Sequence, residues 1–169
     1  MMAKIFLRVP TLLEVIFKGG SKLKIILLML KRGELTAMDI SKMLKIPIAT
    51  VYKHLRELED AGLIKSESIN GKKVFAIGDF TLKVEWRSNG EDITFTISPK
   101  NMTVFLAVDK PETSYFISRR GLEKFLKFAE LYEDYVDGKV TVSMIAKIIG
   151  VTAMEVAALI SEVEEVAEI

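Results

Sequence analysis

Cysteine is absent from this 169-residue chain, which excludes disulfides and thiolate metal sites. Histidine occurs once, at His54, so no histidine cluster is available to hold a metal and a nucleophilic triad has one candidate base. Glutamine is missing, and asparagine is confined to Asn70, Asn89 and Asn101. Scarcity of thermolabile residues points to a thermophilic source. Long apolar runs are missing too. The longest, Ile25 to Leu30, lies between Lys24 and Lys31 and falls far short of the ~20 residues that span a bilayer. The N-terminal stretch carries Lys4, Arg8 and Glu14 and no small-residue cleavage site, so no signal peptide is read and a cytoplasmic location is expected. Neither a phosphate-cradling glycine loop nor a nucleophile beside a base is seen. The chain is therefore expected not to be an enzyme and to need no cofactor or metal.

What is present is a real core and a lopsided charge. Half the residues are hydrophobic, enough for one large domain or two small ones. The net charge of +1 conceals two halves. Residues 1–78 hold fourteen Lys/Arg against seven Asp/Glu, and residues 79–169 hold ten against sixteen. A basic half joined to an acidic half suggests a polyanion partner for the first only.

The first half reads as helix, helix, helix, β-hairpin. Thr11 to Lys18 predict a short helix stopped by Gly19-Gly20. Ser21 caps a second, whose Leu23, Ile26, Leu27 and Leu30 form a helical stripe. Thr36, with Asp39 three residues on, caps a third that turns Ile40, Met43 and Leu44 inward. After Pro47 a fourth helix carries Val51, Leu55 and Leu58 on one face and stops at Ala61-Gly62. Leu63–Ser68 and Lys73–Ile77 read as strands joined at Asn70-Gly71, both tolerant of positive φ.

The second half begins near Asp79. Phe80, Leu82, Val84 and Trp86 alternate, as do Ile93, Phe95 and Ile97, with Asn89-Gly90 between them. Met102–Val108 and Thr113–Ser118 would add two more strands around a turn at Asp109–Glu112, giving a small antiparallel sheet buried on one face. Helices are expected at 119–135, 142–149 and 153–167. The fold class expected is α+β, divided into residues 1–78 and 79–169.

From Thr36 to Leu63 the chain runs TAMDISKMLKIPIATVYKHLRELEDAGL. With its flanks, over residues 11–78, this resembles the winged helix-turn-helix of ArsR-type transcriptional regulators, archaeal ones especially. Ile40, Leu44, Ile46, Val51 and Leu55 match the apolar skeleton, and Lys45 departs from the glycine usual at the turn. The resemblance implies sequence-specific binding of double-stranded DNA, with the helix after Pro47 in the major groove. The residues it puts at the DNA are Thr36, Ile48, Ala49, Thr50, Tyr52, Lys53 and Arg56, with Lys72 and Lys73 on the wing. Thr50 and Tyr52 suit hydrogen bonds to bases or phosphates. Lys53 and Arg56 suit phosphate or guanine, and Ile48 or Ala49 a thymine methyl. His54 is assigned to packing or a phosphate contact.

Val142 to Ile160 also resembles a helix-turn-helix, with Ala146 at the crossing, Gly150 at the turn, and Val156 and Leu159 inward. Its second helix carries Glu155, Glu162, Glu164, Glu165 and Glu168 and no Lys or Arg, a face that phosphates repel. It is expected to be a packed pair, or a surface for a protein partner. The leading expectation is a homodimeric regulator, with the helices at 11–18 and 119–135 as candidate dimer surfaces. The other is a protein-interaction module or antitoxin-like regulator working through the acidic half. The aromatic sheet, with Phe80, Trp86, Phe95 and Phe105, leaves an effector pocket open.

Overall fold

The computed structural model describes residues 9–17, 20–88 and 90–168. Lys4, Arg8, Lys18, Gly19 and Asn89, used in the sequence reading, lie outside them. Contacts divide the chain into two compact units: residues 14–81, and residues 82–168 with Val9–Leu13. Among the described residues no single helix is long and apolar enough to cross a membrane.

Helix α1 spans Val9–Ile16 and α2 spans Gly20–Arg32. The α2 stripe is wider than the sequence suggests. Leu23, Ile25, Ile26, Leu28 and Met29 are buried, whereas Leu27 and Leu30 are only half-buried. A helix that is apolar nearly all round its middle does not reveal its inner face by period alone.

Helix α3 (Ala37–Leu44) starts at a capping box. The Asp39 amide donates to Thr36 Oγ1 at 3.1 Å, and the Thr36 amide donates to the Asp39 carboxylate at 3.0 Å. Ala37 and Ile40 go inward, but of the other two expected inside Met43 is exposed and Leu44 half-buried, because the helix ends at Leu44 before that flank is covered. Helix α4 (Ile48–Asp60) buries Val51, Leu55 and Leu58. Pro47 serves as its N-cap.

Strands β1 (Ile64–Ile69) and β2 (Lys72–Ile77) pair antiparallel, with Ile64 opposite Ile77 and Ile69 opposite Lys72. Asn70 (φ 51°) and Gly71 (φ 78°) are both left-handed, the backbone a two-residue type I′ turn requires. Leu35 bonds to Phe75 through both amides, at 2.9 and 2.8 Å, so the link from α2 to α3 edges the hairpin as a third strand. This is a winged helix.

In the second unit β3 (Leu82–Ser88) and β4 (Glu91–Ile97) pair with Leu82 opposite Ile97, Val84 opposite Phe95 and Trp86 opposite Ile93. Among the described residues the sheet stops there. The segments expected as two further strands are helical. Helix α5 is Met102–Leu106, followed by a 3-10 turn at Ala107–Asp109, and α6 is Pro111–Arg120. Every residue from Asn101 to Val108 is buried, so no polar alternation marks the period. Pro111, taken for a turn residue, opens α6 at its first position, where its missing N–H costs nothing.

Helix α7 (Leu122–Val136) buries Phe125, Phe128, Ala129 and Tyr132. Phe95 stacks on Phe105 at 5.1 Å, and Phe105 meets Phe125 edge-on at 6.3 Å, so Phe95 and Phe105 are core, whereas Trp86 is exposed and Phe80 is half-buried ahead of β3. Helices α8 (Val142–Ile149) and α9 (Ala153–Ala167) follow at the expected boundaries, bent by 116° across a three-residue turn. Such an angle belongs to a helix-turn-helix. The α+β architecture of a winged helix followed by a small antiparallel sheet and C-terminal helices is the one the sequence implies.

Candidate nucleic-acid interface

On α4 the inward set Val51, Leu55 and Leu58 fixes what is left outside. Ala49, Tyr52, Lys53 and Arg56 are exposed on the opposite face at helical spacing, and Ile48 and Thr50 are half-buried at the first turn. Among the described residues no side chain caps the N-terminus of α4, so its leading amides are left to solvent or a ligand and add positive potential at the end of the face that carries Lys53 and Arg56. The acidic residues of this helix, Glu57, Glu59 and Asp60, sit in its last turns. Glu57 pairs with the buried Lys22, and Glu59 accepts from the Ser66 hydroxyl, so both are engaged within the unit.

The remaining expected contacts are less alike than the sequence implies. The Thr36 oxygen is occupied by the cap of α3, which leaves its hydroxyl proton to donate. Lys72 is exposed next to the wing turn. It also adds attraction to the Thr36 hydrogen bonds that hold the Asp39 carboxyl below the usual carboxylate range. Lys73 lies 5.3 Å above the Phe75 ring and 4.0 Å from Glu59, so its charge is partly engaged at home.

Lys45 is a residue the sequence reading noticed only as a departure at the turn. It adopts the left-handed backbone (φ 55°) at the end of α3 and is exposed. The turn places it two residues ahead of the open N-terminus of α4. Its signal in the sequence is a lysine where the resemblance expects glycine.

His54 is half-buried, and its Nδ1 is buried without a hydrogen-bond partner among the described residues. Burial pushes the imidazole below its ordinary value of 6.5, Lys22 pushes the same way, and Glu57 opposes. The ring is neutral at pH 7, which favours packing over phosphate binding for this side chain.

The second helix-turn-helix repeats the first in register. Thr141, the N-cap of α8, stands 105 residues after Thr36. The same offset takes the left-handed Lys45 to the left-handed Gly150, and the buried Ile40, Val51, Leu55 and Leu58 to the buried Ile145, Val156, Ile160 and Val163. The turn amides match as well: Ile46 donates to Ser41 O at 3.2 Å and Val151 to Ala146 O at 3.0 Å.

The presented chemistry does not repeat. Tyr52, Lys53 and Arg56 become Ala157, Ala158 and Ser161. Thr152 and Glu155 close the first turn of α9 with a capping box, so its leading amides are not open. Two glutamates of the face expected to repel phosphates are tied up within the unit. Glu162 is buried and accepts from the Glu112 amide (3.1 Å), the Thr113 amide (2.6 Å) and the Thr113 hydroxyl (2.8 Å), thereby capping α6 from outside. Glu155 takes both arms of Arg120 at 2.8 and 2.7 Å, which with Thr152 brings its carboxyl down to about 2. Helix α6 thus covers one flank of the helix that would have to enter a groove.

Among the described residues no group of three or more His, Asp or Glu is placed to hold a metal. Residues 23–80, about a third of the chain, match the family described as the sugar-specific transcriptional regulator TrmB. The family matched is a regulator family other than the ArsR type that the sequence resembles, and the common ground is a helix-turn-helix regulator. No curated protein and no solved structure matches the chain. Residues 23–80 are therefore a winged helix-turn-helix similar to those of transcriptional regulators.

Proposed function

We propose that the first unit binds double-stranded DNA in a sequence-specific way, and that the chain acts as a transcriptional regulator. Helix α4 lies in the major groove. Arg56 and Lys53 meet guanine edges or phosphates, Thr50 and Tyr52 supply hydrogen bonds, and Ala49 and Ile48 lie against thymine methyls. Lys45 and Thr36 hold the phosphates beside the α4 N-terminus, and Lys72 with Lys73 carries the wing onto the backbone. The observation that carries this reading is the outward face of α4, where two cations and an open helix N-terminus share one surface.

The chain acts as a homodimer. One recognition helix reads only a few base pairs, and two half-sites related by protein symmetry multiply the specificity. The second unit supplies the dimer contact. Its α9 surface carries no cation, which disfavours a second DNA-reading helix there.

The test is binding to a duplex from the region upstream of the protein's own reading frame, titrated with salt against a random duplex. Affinity falls steeply with salt and favours the upstream duplex by a factor of about a thousand or more. Lys53→Ala and Arg56→Ala each weaken it roughly tenfold. Unchanged affinity in both variants would remove α4 from the interface. No binding at low salt would leave the unit as a protein-contact module.

A further inference from the structure

Helices α6 and α9 are clamped together at two points, by Glu162 on the α6 N-terminus and by the Arg120–Glu155 fork near its C-terminus. Between the clamps an open groove of about 510 Å³ runs over Phe116, with Ala158 on its wall. Tyr115, 60 % exposed, and Met154, 84 % exposed, stand on its rim. Two large apolar side chains this exposed beside an apolar floor mark a surface built to be covered.

The charges on that surface say by what. Along α6 the exposed residues Glu112, Tyr115 and Arg119 fall at i, i+3 and i+7, one stripe of the helix. The stripe is negative at one end, aromatic at the centre and positive at the other end. Such a stripe is complementary to itself turned end for end. A two-fold axis near Tyr115 sets Glu112 of one copy opposite Arg119 of the other, twice over. A uniformly basic partner, which the net acidity of this half would attract, faces Arg119 as a like charge. Helix α7 offers less: its apolar stripe is buried, and Glu123, Lys127 and Glu130 are outward.

We propose that the α6–α9 face is the surface through which two copies of this chain pair, around a two-fold axis near Tyr115. This deepens the homodimer reading above and rests on it. It is tested without DNA, so failure of the interface and failure of the DNA reading are distinguishable.

The experiment is sedimentation equilibrium on the full chain at tens of micromolar. The expected mass is twice the 19.0 kDa of one chain. Glu112→Arg and Arg119→Glu alone each put like charges opposite one another at two places and weaken the dimer at least tenfold. The double swap Glu112→Arg/Arg119→Glu restores the pairing, which neither a structural defect nor a dimer elsewhere would do. Because the chain has no cysteine, Tyr115→Cys supplies a single thiol, and oxidation is expected to yield a covalent dimer. A monomeric wild type overturns the proposal, and so does a dimer indifferent to both reversals. Should a reversal variant lose its folded circular dichroism, the Tyr115→Cys cross-link decides: its formation supports the interface, and a dimer that fails to cross-link overturns it.

Discussion

The two helix-turn-helices of this chain share a skeleton and differ in everything outside it. Cap, left-handed turn and four buried positions coincide at an offset of 105 residues. Yet α4 shows Tyr52, Lys53 and Arg56 where α9 shows Ala157, Ala158 and Ser161. The N-terminus of α4 is open, whereas that of α9 is closed by Thr152 and Glu155. Glutamates in the same helical register have different work. Glu57 sits half-exposed against Lys22, while Glu162 is buried as the cap of another helix. The apolar skeleton fixes the angle between two helices. The outward residues and the neighbouring elements then decide whether that angle presents a reading head or a packing surface.

The sharpest break between the two is in DNA affinity. Lys53→Ala/Arg56→Ala together are expected to lower it by about a hundredfold or more. Grafting the pair onto the second motif, as Ala158→Lys/Ser161→Arg in that background, is expected to recover none of it in a fluorescence-anisotropy titration. Next comes Glu162→Ala. It strands the α6 amides it caps and is expected to destabilise the second unit by about 2–3 kcal/mol. Glu57→Ala at the matching position loses one exposed ion pair and is expected to cost the first unit less. Urea unfolding followed at Trp86 reads the second unit, and circular dichroism reads both.

The turn residues give a smaller contrast of opposite sign. Lys45→Gly relieves a left-handed lysine and is expected to stabilise the first unit by about 1 kcal/mol. Gly150→Lys imposes that strain and costs the second unit about the same. Both are measurable as shifts in urea midpoint.

The finest distinction is in pH. His54 is held below its ordinary 6.5, so the unfolded chain binds more protons there, and the first unit loses stability as the pH falls below that value. Glu155 is held at about 2 against an ordinary 4.5. Its contribution is present above 4.5 and is lost as the pH falls toward 2. Acid unfolding is expected to begin in the first unit, and His54→Gln to remove its early phase.

Residues with one-sided surroundings were legible in the sequence. Thr36 forms the expected cap with Asp39 in the first turn, Asn70-Gly71 the expected turn, and Val51, Leu55 and Leu58 the expected inner face. In the second unit the partners are remote, and the pattern misled. Met102–Val108 is covered on all sides, so a helix there has no polar face to announce its period. Glu155 and Glu162 have the composition of solvated residues, and only the fold brings Arg120 and the α6 amides to them. Of the proposed contact residues, the α4 set follows from helical spacing. The engagement of Lys73 by Phe75 and Glu59 and the exposure of Lys45 need the structure.

The central claim is that one of two like-built motifs meets DNA and the other does not. Hydrogen exchange of the full chain, with and without a specific duplex, tests it directly. The account predicts new protection from Lys45 through Arg56 and around the wing turn at Asn70–Lys73, with the amides of 153–165 unchanged. Protection along α9, or none at the start of α4, would contradict it.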